Sequence, residues 1–410
     1  MALTQLPGTM LSTVNTLTSA SGQPLVLQTN NGTTALTINT SQQATFTNNV
    51  SMPNTFGFKN RIINGDFRVS QYNSNNSVTP SGGAYFIDRW YEDPSGAFGW
   101  ITYQQASSTP PPGFANYLSM TSVGANSPSS GVFLGLEQRI ESQNLQDLAW
   151  GTSNAKTCTL SFWIQSSLTG TFGGVIWNSA RNYSYVFSYS IASANTWQYV
   201  TVTIPGPTSG TWLLSGNGIG LWVTFALAAG SNYQTTASSW ASGWYFGPTG
   251  MTNLTATSGA TMFLTGVQFE PGTQATSFDY RDIGREFFLC QRYFQRSYDL
   301  GVATGTVVAG PVSGTWQYNQ PSYFIGTGNY AMNCGTPFPV TMRAIPTITV
   351  YSPSSGTAGS ITPWNGSDYT LISNGGFINA STSRITGGSY NANTTANLTY
   401  GFQWTASAEL

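Results

Sequence analysis

Apolar and polar residues alternate along this chain in short runs separated by Gly, Pro, Asn and Ser, the period-two signature of β-strands. From about Phe58 to Phe278 the runs are almost continuous: YFIDRWY, FGWITYQ, YLSMTS, VFLGLEQRI, TLSFWIQ, YVFSYSI, WQYVTVTIP, GIGLWVTFAL and ATMFLTGVQFE. β-Branched and aromatic residues dominate them, since such side chains fit a pleated, half-buried surface. The spacing predicts an antiparallel sandwich or jelly roll over residues 58–278. Within WQYVTVTIP, Val200, Val202 and Ile204 form the face expected to be buried. Tyr199, Thr201 and Thr203 form the face expected to look outward or into a groove.

The pattern changes on both sides of that block. Residues 1–57 hold only brief alternating strands, LVLQTNN, TALTINT, ATFTNN and VSMP, with one or two apolar side chains such as Leu36 and Ile38 on a face. Strands this poor in apolar surface cannot make a core alone, so the segment reads as a particle-anchoring piece and short β shaft buried by neighbouring chains. A polar, disordered leader is the other reading. In residues 279–299 the period lengthens: Ile283, Phe287, Cys290 and Phe294 recur at helical spacing, which predicts an amphipathic connecting helix of about four turns. Its stripe fits a trimer contact or the subunit's own core, with Arg285, Arg292 and Arg296 off it. Residues 300–410 return to strands, clearest in FPVTMRAIPTITVY and LTYGFQWTASAEL, and predict a C-terminal, receptor-facing β-sandwich with long neutral loops. The expected fold is all-β: short N-terminal β shaft, central jelly-roll sandwich, connecting helix and C-terminal β-sandwich.

Charge sharpens this division and excludes whole classes of function. Charged residues are 7% of the chain and the net charge is −1, so no field attracts nucleic acid, whose non-specific binding rests on many Lys and Arg contacts. No charge falls in residues 1–58 or between Asn182 and Phe269, whereas eight fall between Asp279 and Asp299, marking a junction. With no histidine, Ser-His-Asp, Cys-His and His-metal chemistry is ruled out. The three cysteines, Cys158, Cys290 and Cys334, lack metal-like spacing and read as small buried hydrophobes. No run approaches the roughly 18–20 apolar residues of a membrane span, and no secretory pattern opens the chain, so assembly in a cytoplasm without membrane insertion is expected.

Two stretches carry a family likeness. NRIINGDFRVSQYN (60–73) with YFIDRW (85–90), and TGVQFEPGTQATSFDYRDIGREFFLCQRYF (265–294), resemble bacteriophage tail-fibre and virion appendage proteins. They bracket the middle domain, which in that family is a jelly roll similar to carbohydrate-binding modules. The resemblance implies a virion protein, a homotrimer bound to other virion proteins through its N-terminal segment and to host cell-surface glycan by its β-domains. A purely structural head fibre, capsid decoration or baseplate component is the alternative. The resemblance also implies a structural calcium near the NGDF turn and the VQFE strand, at Asp66 and Glu270, with backbone carbonyls around Asn64 and Gly65 as further ligands. The plain alternative is that Asp66 caps a turn and Glu270 pairs with Arg61 or Arg68.

A glycan site needs exposed rings beside hydrogen-bonding groups. Trp90, Trp163, Trp197 and Trp222 lie inside strand text and read as core. Trp240, Trp244, Tyr245 and Phe246 lie in a Ser-, Gly- and Pro-rich loop, and Arg181, Asn182, Tyr183 and Tyr185 lie in ARNYSYVF. These loop rings fit a glycan site or a domain interface. In the distal part the candidates are Trp316, Tyr318, Tyr323, Trp364, Asn365 and Tyr390. Hydrolysis would need a carboxylate pair about 5–10 Å apart. Asp88, Glu92, Asp93, Glu137 and Glu141 are the acids to inspect, with Asp88 expected to pair with Arg89. No catalytic residue is expected.

Overall fold

Why the strand text folds into two layers follows from which positions its alternation buries. A computed structural model describes residues 22–28, 34–41, 44–46, 59–307, 322–326, 331–332, 335–363, 369–370, 379–389 and 398–410. The chain divides into two units, 1–57 and 58–410. In the first, β1 (Leu25–Gln28), β2 (Thr34–Ile38) and β3 (Ala44–Phe46) form an antiparallel meander whose register sets Leu36 and Phe46 as backbone partners. None of its described side chains is buried.

The second unit is an all-β jelly-roll sandwich with a distal β-layer packed onto it. Its strands are β4 (Ala84–Ile87), β5 (Trp90–Ser95), β6 (Ile101–Ala106), β7 (Tyr117–Ser122), β8 (Phe133–Glu141), β9 (Cys158–Ser166), β10 (Gly170–Asn178), β11 (Tyr183–Ile191), β12 (Gln198–Ile204) and β13 (Ile219–Ala229). Three short strands, β14 (Gln234–Thr235), β15 (Trp240–Ser242) and β16 (Gly247–Pro248), precede the long β17 (Thr261–Pro271). One sheet runs β15-β11-β10-β13-β8-β5-β4 and the other β12-β9-β17-β7-β6. The core between them takes alternate residues of each strand, such as Leu134, Leu136 and Ile140 of β8, Leu160, Phe162 and Ile164 of β9, and Leu221, Val223 and Phe225 of β13. In β12, Val200 and Ile204 are buried while Tyr199, Thr201 and Thr203 are exposed. The chain enters at the NGDF turn, which lies against β17: Val267 N donates to Gly65 O at 2.9 Å. A Cβ on Gly65 would stand 2.2 Å from Val267 O, so only glycine allows that approach.

The helical expectation is corrected in length and facing. Helix α1 spans Ile283–Gln291, with Asp282 accepting from Gly284 N at 2.9 Å and Arg285 N at 3.3 Å as its N-cap. Of the predicted stripe, Cys290 is buried, Ile283 is exposed, and Phe294 belongs to a strand, Phe294–Arg296. That strand pairs with Leu398–Ser407, and ladder bonds from a distant segment outweigh helical propensity there. Leu398–Ser407 also pairs with Ser322–Gly326, Thr347–Tyr351 and Ser360–Pro363, and Val350, Ile361, Phe402 and Trp404 fill the small core of this layer. Cys158 and Cys290 are buried and free. Cys334 lies outside the described residues.

The segment read as a junction is a packed seam. Glu141 takes Arg292 Nη2 at 2.7 Å and Tyr293 OH at 2.9 Å, and Arg89 lies 3.6 Å over the Tyr293 ring. Arg89 pairs with Glu409, not with Asp88, whose oxygens accept from Gln71. Arg89 has φ 70°, so the turn that carries it sends the guanidinium away from its neighbour in sequence.

Candidate functional site: an aromatic strip on the five-stranded sheet

The outer faces of the two sheets differ. On the seven-stranded sheet, Phe133, Val175, Trp177, Val186 and Trp222 are covered by Phe246 and Met251 of the loop that follows β13. At its other end Tyr85 OH donates to Leu410 O at 2.8 Å, and Arg139 also donates to that oxygen. The outer face of the five-stranded sheet carries mostly uncharged side chains, among them Gln104, Ser119, Thr121, Gln165, Thr201 and Thr203, around a line of rings; its β17 row also holds the buried Glu270.

Those rings are Tyr199, Trp163, Phe114, Phe278 and Tyr280. Because Leu160, Phe162 and Ile164 point into the core, Trp163 points out, and the register of β9 with β12 sets it opposite Tyr199, with centroids 5.4 Å apart. Trp163 was expected in the core; alternation along TLSFWIQ puts it on the opposite face. β17 bulges between Thr265 and Gln268, and Gly266 sits there with φ +63°. A Cβ on Gly266 would lie 2.6 Å from Phe114 and 3.2 Å from Trp163, so the glycine lets both rings close over the bulge. Phe114 continues to Phe278 at 5.1 Å and Tyr280 at 5.6 Å. Tyr199 is 46% and Tyr280 57% exposed, so both ends of the strip are open to a ligand. Rings at such spacing beside hydroxyl and amide groups can stack on sugar C–H faces while their neighbours bond the hydroxyl edge.

The loop candidates separate into two places. Trp240 stacks on Tyr183 at 5.4 Å and 7° and packs against Trp150 and Trp212. Its indole donates to Pro205 O at 2.7 Å, and Tyr183 OH shares a 2.9 Å bond with Ser209 Oγ, so their polar edges are engaged internally. Tyr185 is buried, with its hydroxyl on Thr203 O at 3.3 Å; its ring is core. Tyr245 holds Trp177 Nε1 on its carbonyl at 2.9 Å. Trp244 is 42% exposed on the seven-stranded face, 5.9 Å from the Arg181 guanidinium. Arg181 lies 3.8 Å over Trp222 and bonds Asp93 at 2.7 Å and Glu137 at 2.8 Å. Trp316, Trp364 and Asn365, with Tyr318 and Tyr390, lie outside the described residues, as does the side chain of Tyr323.

Asp66 and Glu270, the expected calcium ligands, each have side-chain partners. Asp66 pairs with Arg68, while Glu270 accepts from Gln268 Nε2 at 2.7 Å, Thr276 N at 2.9 Å and Thr276 Oγ1 at 2.6 Å. Arg61, expected as a partner of Glu270, pairs with Asp147 at 2.6 Å. The carbonyls have donors as well: Asn64 O takes Trp90 Nε1 at 3.0 Å, and Gly65 O takes Val267 N. Among the described residues no three His, Cys, Asp or Glu side chains gather as a metal-holding group. No described helix is long and apolar enough to cross a membrane.

No protein-family model matches the chain, and no curated protein matches it. Solved structures similar to it include the enzymatically active domain of bacteriophage CBA120 tailspike protein 4, at 13% identity and TM-score 0.30 over 52% of this chain and 21% of that one. The chain thus spans about a fifth of that protein's length. A putative sugar binding protein from Bacteroides thetaiotaomicron is similar at 13% identity and TM-score 0.31, over 52% of this chain and 100% of that one. TmCBM61 in complex with β-1,4-galactotriose is similar at 8% identity and TM-score 0.27, over 52% and 99%.

Proposed function

We propose that this chain is a non-enzymatic virion protein, a tail-fibre-like adhesin that acts as a homotrimer and binds host cell-surface glycan along the strip from Tyr199 to Tyr280. The observation that carries the reading is a line of partly exposed rings that starts on the five-stranded sheet among hydroxyl and amide side chains and ends at Tyr280 in the segment after β17. The N-terminal segment attaches the chain to other virion proteins. Binding rather than hydrolysis fits the acids, for each is engaged or enclosed. Asp88 is held by Gln71, Asp93 and Glu137 share Arg181, Glu141 holds Arg292, and Glu92 is buried in the sandwich.

The test is a titration of extracted host polysaccharide at low and high salt with wild type, Trp163→Ala, Tyr199→Ala and Trp244→Ala. Loss of a central ring weakens binding by about 1–3 kcal/mol, and salt matters little because stacking offers no ion pair to screen. A loss confined to Trp244→Ala moves the site to the opposite face and sinks the strip. A second reading, a purely structural appendage, is favoured by the first unit: its meander buries no described side chain and exposes Val26 and Leu27, as a piece awaiting neighbours would. No glycan binding at all would select that reading, and a mass measurement giving only monomer would exclude the trimer.

A further inference from the structure

The seam beside the strip contains an oxygen cage filled by a side chain. Arg281 donates to the carbonyl oxygens of Asn60 and of Ile62, the latter at 3.0 Å. It reaches Glu286 Oε1 at 3.4 Å and Oε2 at 3.2 Å, and its Nε stands 3.3 Å from Asp279 Oδ2. Five oxygens, two main-chain and three carboxylate, therefore surround one guanidinium whose side chain is only 5% exposed. Carbonyls from a tight turn combined with carboxylates are the donors that hard divalent cations take.

The cage is full: the space lined by Asn60, Asp66, Asp279, Arg281 and Glu286 leaves no room for a water molecule. It is also close to charge balance. Asp66, Asp279 and Glu286 face Arg68 and Arg281, leaving a single negative charge, and loss of the guanidinium would leave two. The guanidinium does the mechanical work of a bound ion, because it ties the opening segment at Asn60 and Ile62 to α1 through Glu286, which also accepts from Asn64 N.

We propose that the Arg281 guanidinium takes the place of a divalent metal ion in this cage, so that the fold is independent of metal, and that removing the side chain turns the cage into a site for a calcium-sized ion. The cage adjoins the aromatic strip at Phe278, and its test involves no glycan.

The experiment is thermal unfolding of the full chain in excess EDTA and in millimolar calcium chloride. Wild type melts at the same temperature in both; a fall in EDTA overturns the proposal. Arg281→Ala, which leaves Glu286 buried without its partner, melts about 5–10 °C lower in EDTA, and calcium restores part of the loss. A variant as stable as wild type, or one that calcium does not touch, overturns it. Should that variant fail to fold, Arg281→Lys keeps the charge without the fork. It melts lower than wild type and equally in both solutions, and a calcium-dependent rise in Arg281→Lys counts against the proposal.

Discussion

Glu92 offers a measurement of the sandwich interior. It sits on β5 between Ala84 and Leu136 in the ladder, with its side chain turned into the core, and is fully buried. The polar group that faces its carboxyl is the Tyr103 hydroxyl, whose interaction with it offsets only part of the cost of burial, and neither group has another hydrogen-bond partner. Burial, reinforced by the charge of Asp93, pushes the carboxyl up to about 8. The native protein thus holds a proton that the unfolded chain releases near pH 4.5. Between those values stability falls as pH rises, by about 1.4 kcal/mol per pH unit at the steepest. From pH 6 to pH 8 the fall from this group is about 2 kcal/mol once the native group begins to titrate. Glu92→Gln keeps the shape and abolishes the titration. Asp88, pushed up to about 6, and Glu137, pushed up to about 8, bend the curve the same way but are common to both proteins and cancel in the difference. Urea unfolding followed by tryptophan fluorescence at the two pH values gives that difference. The expectation is that Glu92→Gln gains about 2 kcal/mol over wild type between pH 6 and pH 8. A gap equal at both pH values, within about 0.5 kcal/mol, would refute the placement of an uncompensated proton in the core.

Three further outcomes are expected. Glu409→Ala leaves the buried Arg89 guanidinium without its partner and destabilises by about 3–5 kcal/mol in urea unfolding, whereas a surface pair would cost under about 1 kcal/mol. Gly266→Ala meets both a left-handed φ and the Phe114 ring, so it lowers stability by about 1–3 kcal/mol and weakens glycan binding by displacing Phe114 and Trp163; unchanged binding would detach the bulge from the strip. Residues 58–410 produced alone unfold cooperatively, and loss of their β signal by circular dichroism would show that 1–57 belong to their core.

What the sequence disclosed was local. Alternation in WQYVTVTIP placed Val200 and Ile204 inside and Tyr199 outside without knowledge of their neighbours, because a strand's two faces are a property of the strand itself. Pairing is another matter. Trp163 meets Tyr199 only through the β9–β12 register, and Phe114 joins them only across the bulge at Gly266, so no reading of separate segments assembles the strip. In TLSFWIQ the same period that turns Leu160 and Phe162 inward turns Trp163 outward. The helix stops short of Phe294 for a related reason: Phe294 has helical spacing, but its partner, Ser407, is a tertiary fact. Charges misled most. Asp88 and Arg89 are neighbours in sequence, yet Arg89 finds Glu409, and scarce charges spread along the chain converge on the seam.

That last pair has a meaning in time. Arg89 and Glu409 are 320 residues apart, and at translation rates of about 5–20 residues per second roughly 15–65 s separate their synthesis. Throughout that interval Arg89 lacks its countercharge, and Arg139 and Tyr85 lack the Leu410 carbonyl. The nascent jelly roll therefore cannot close one end of its seven-stranded sheet until residues 409 and 410 have been made. Its final packing waits for the segment that carries Glu409 and Leu410.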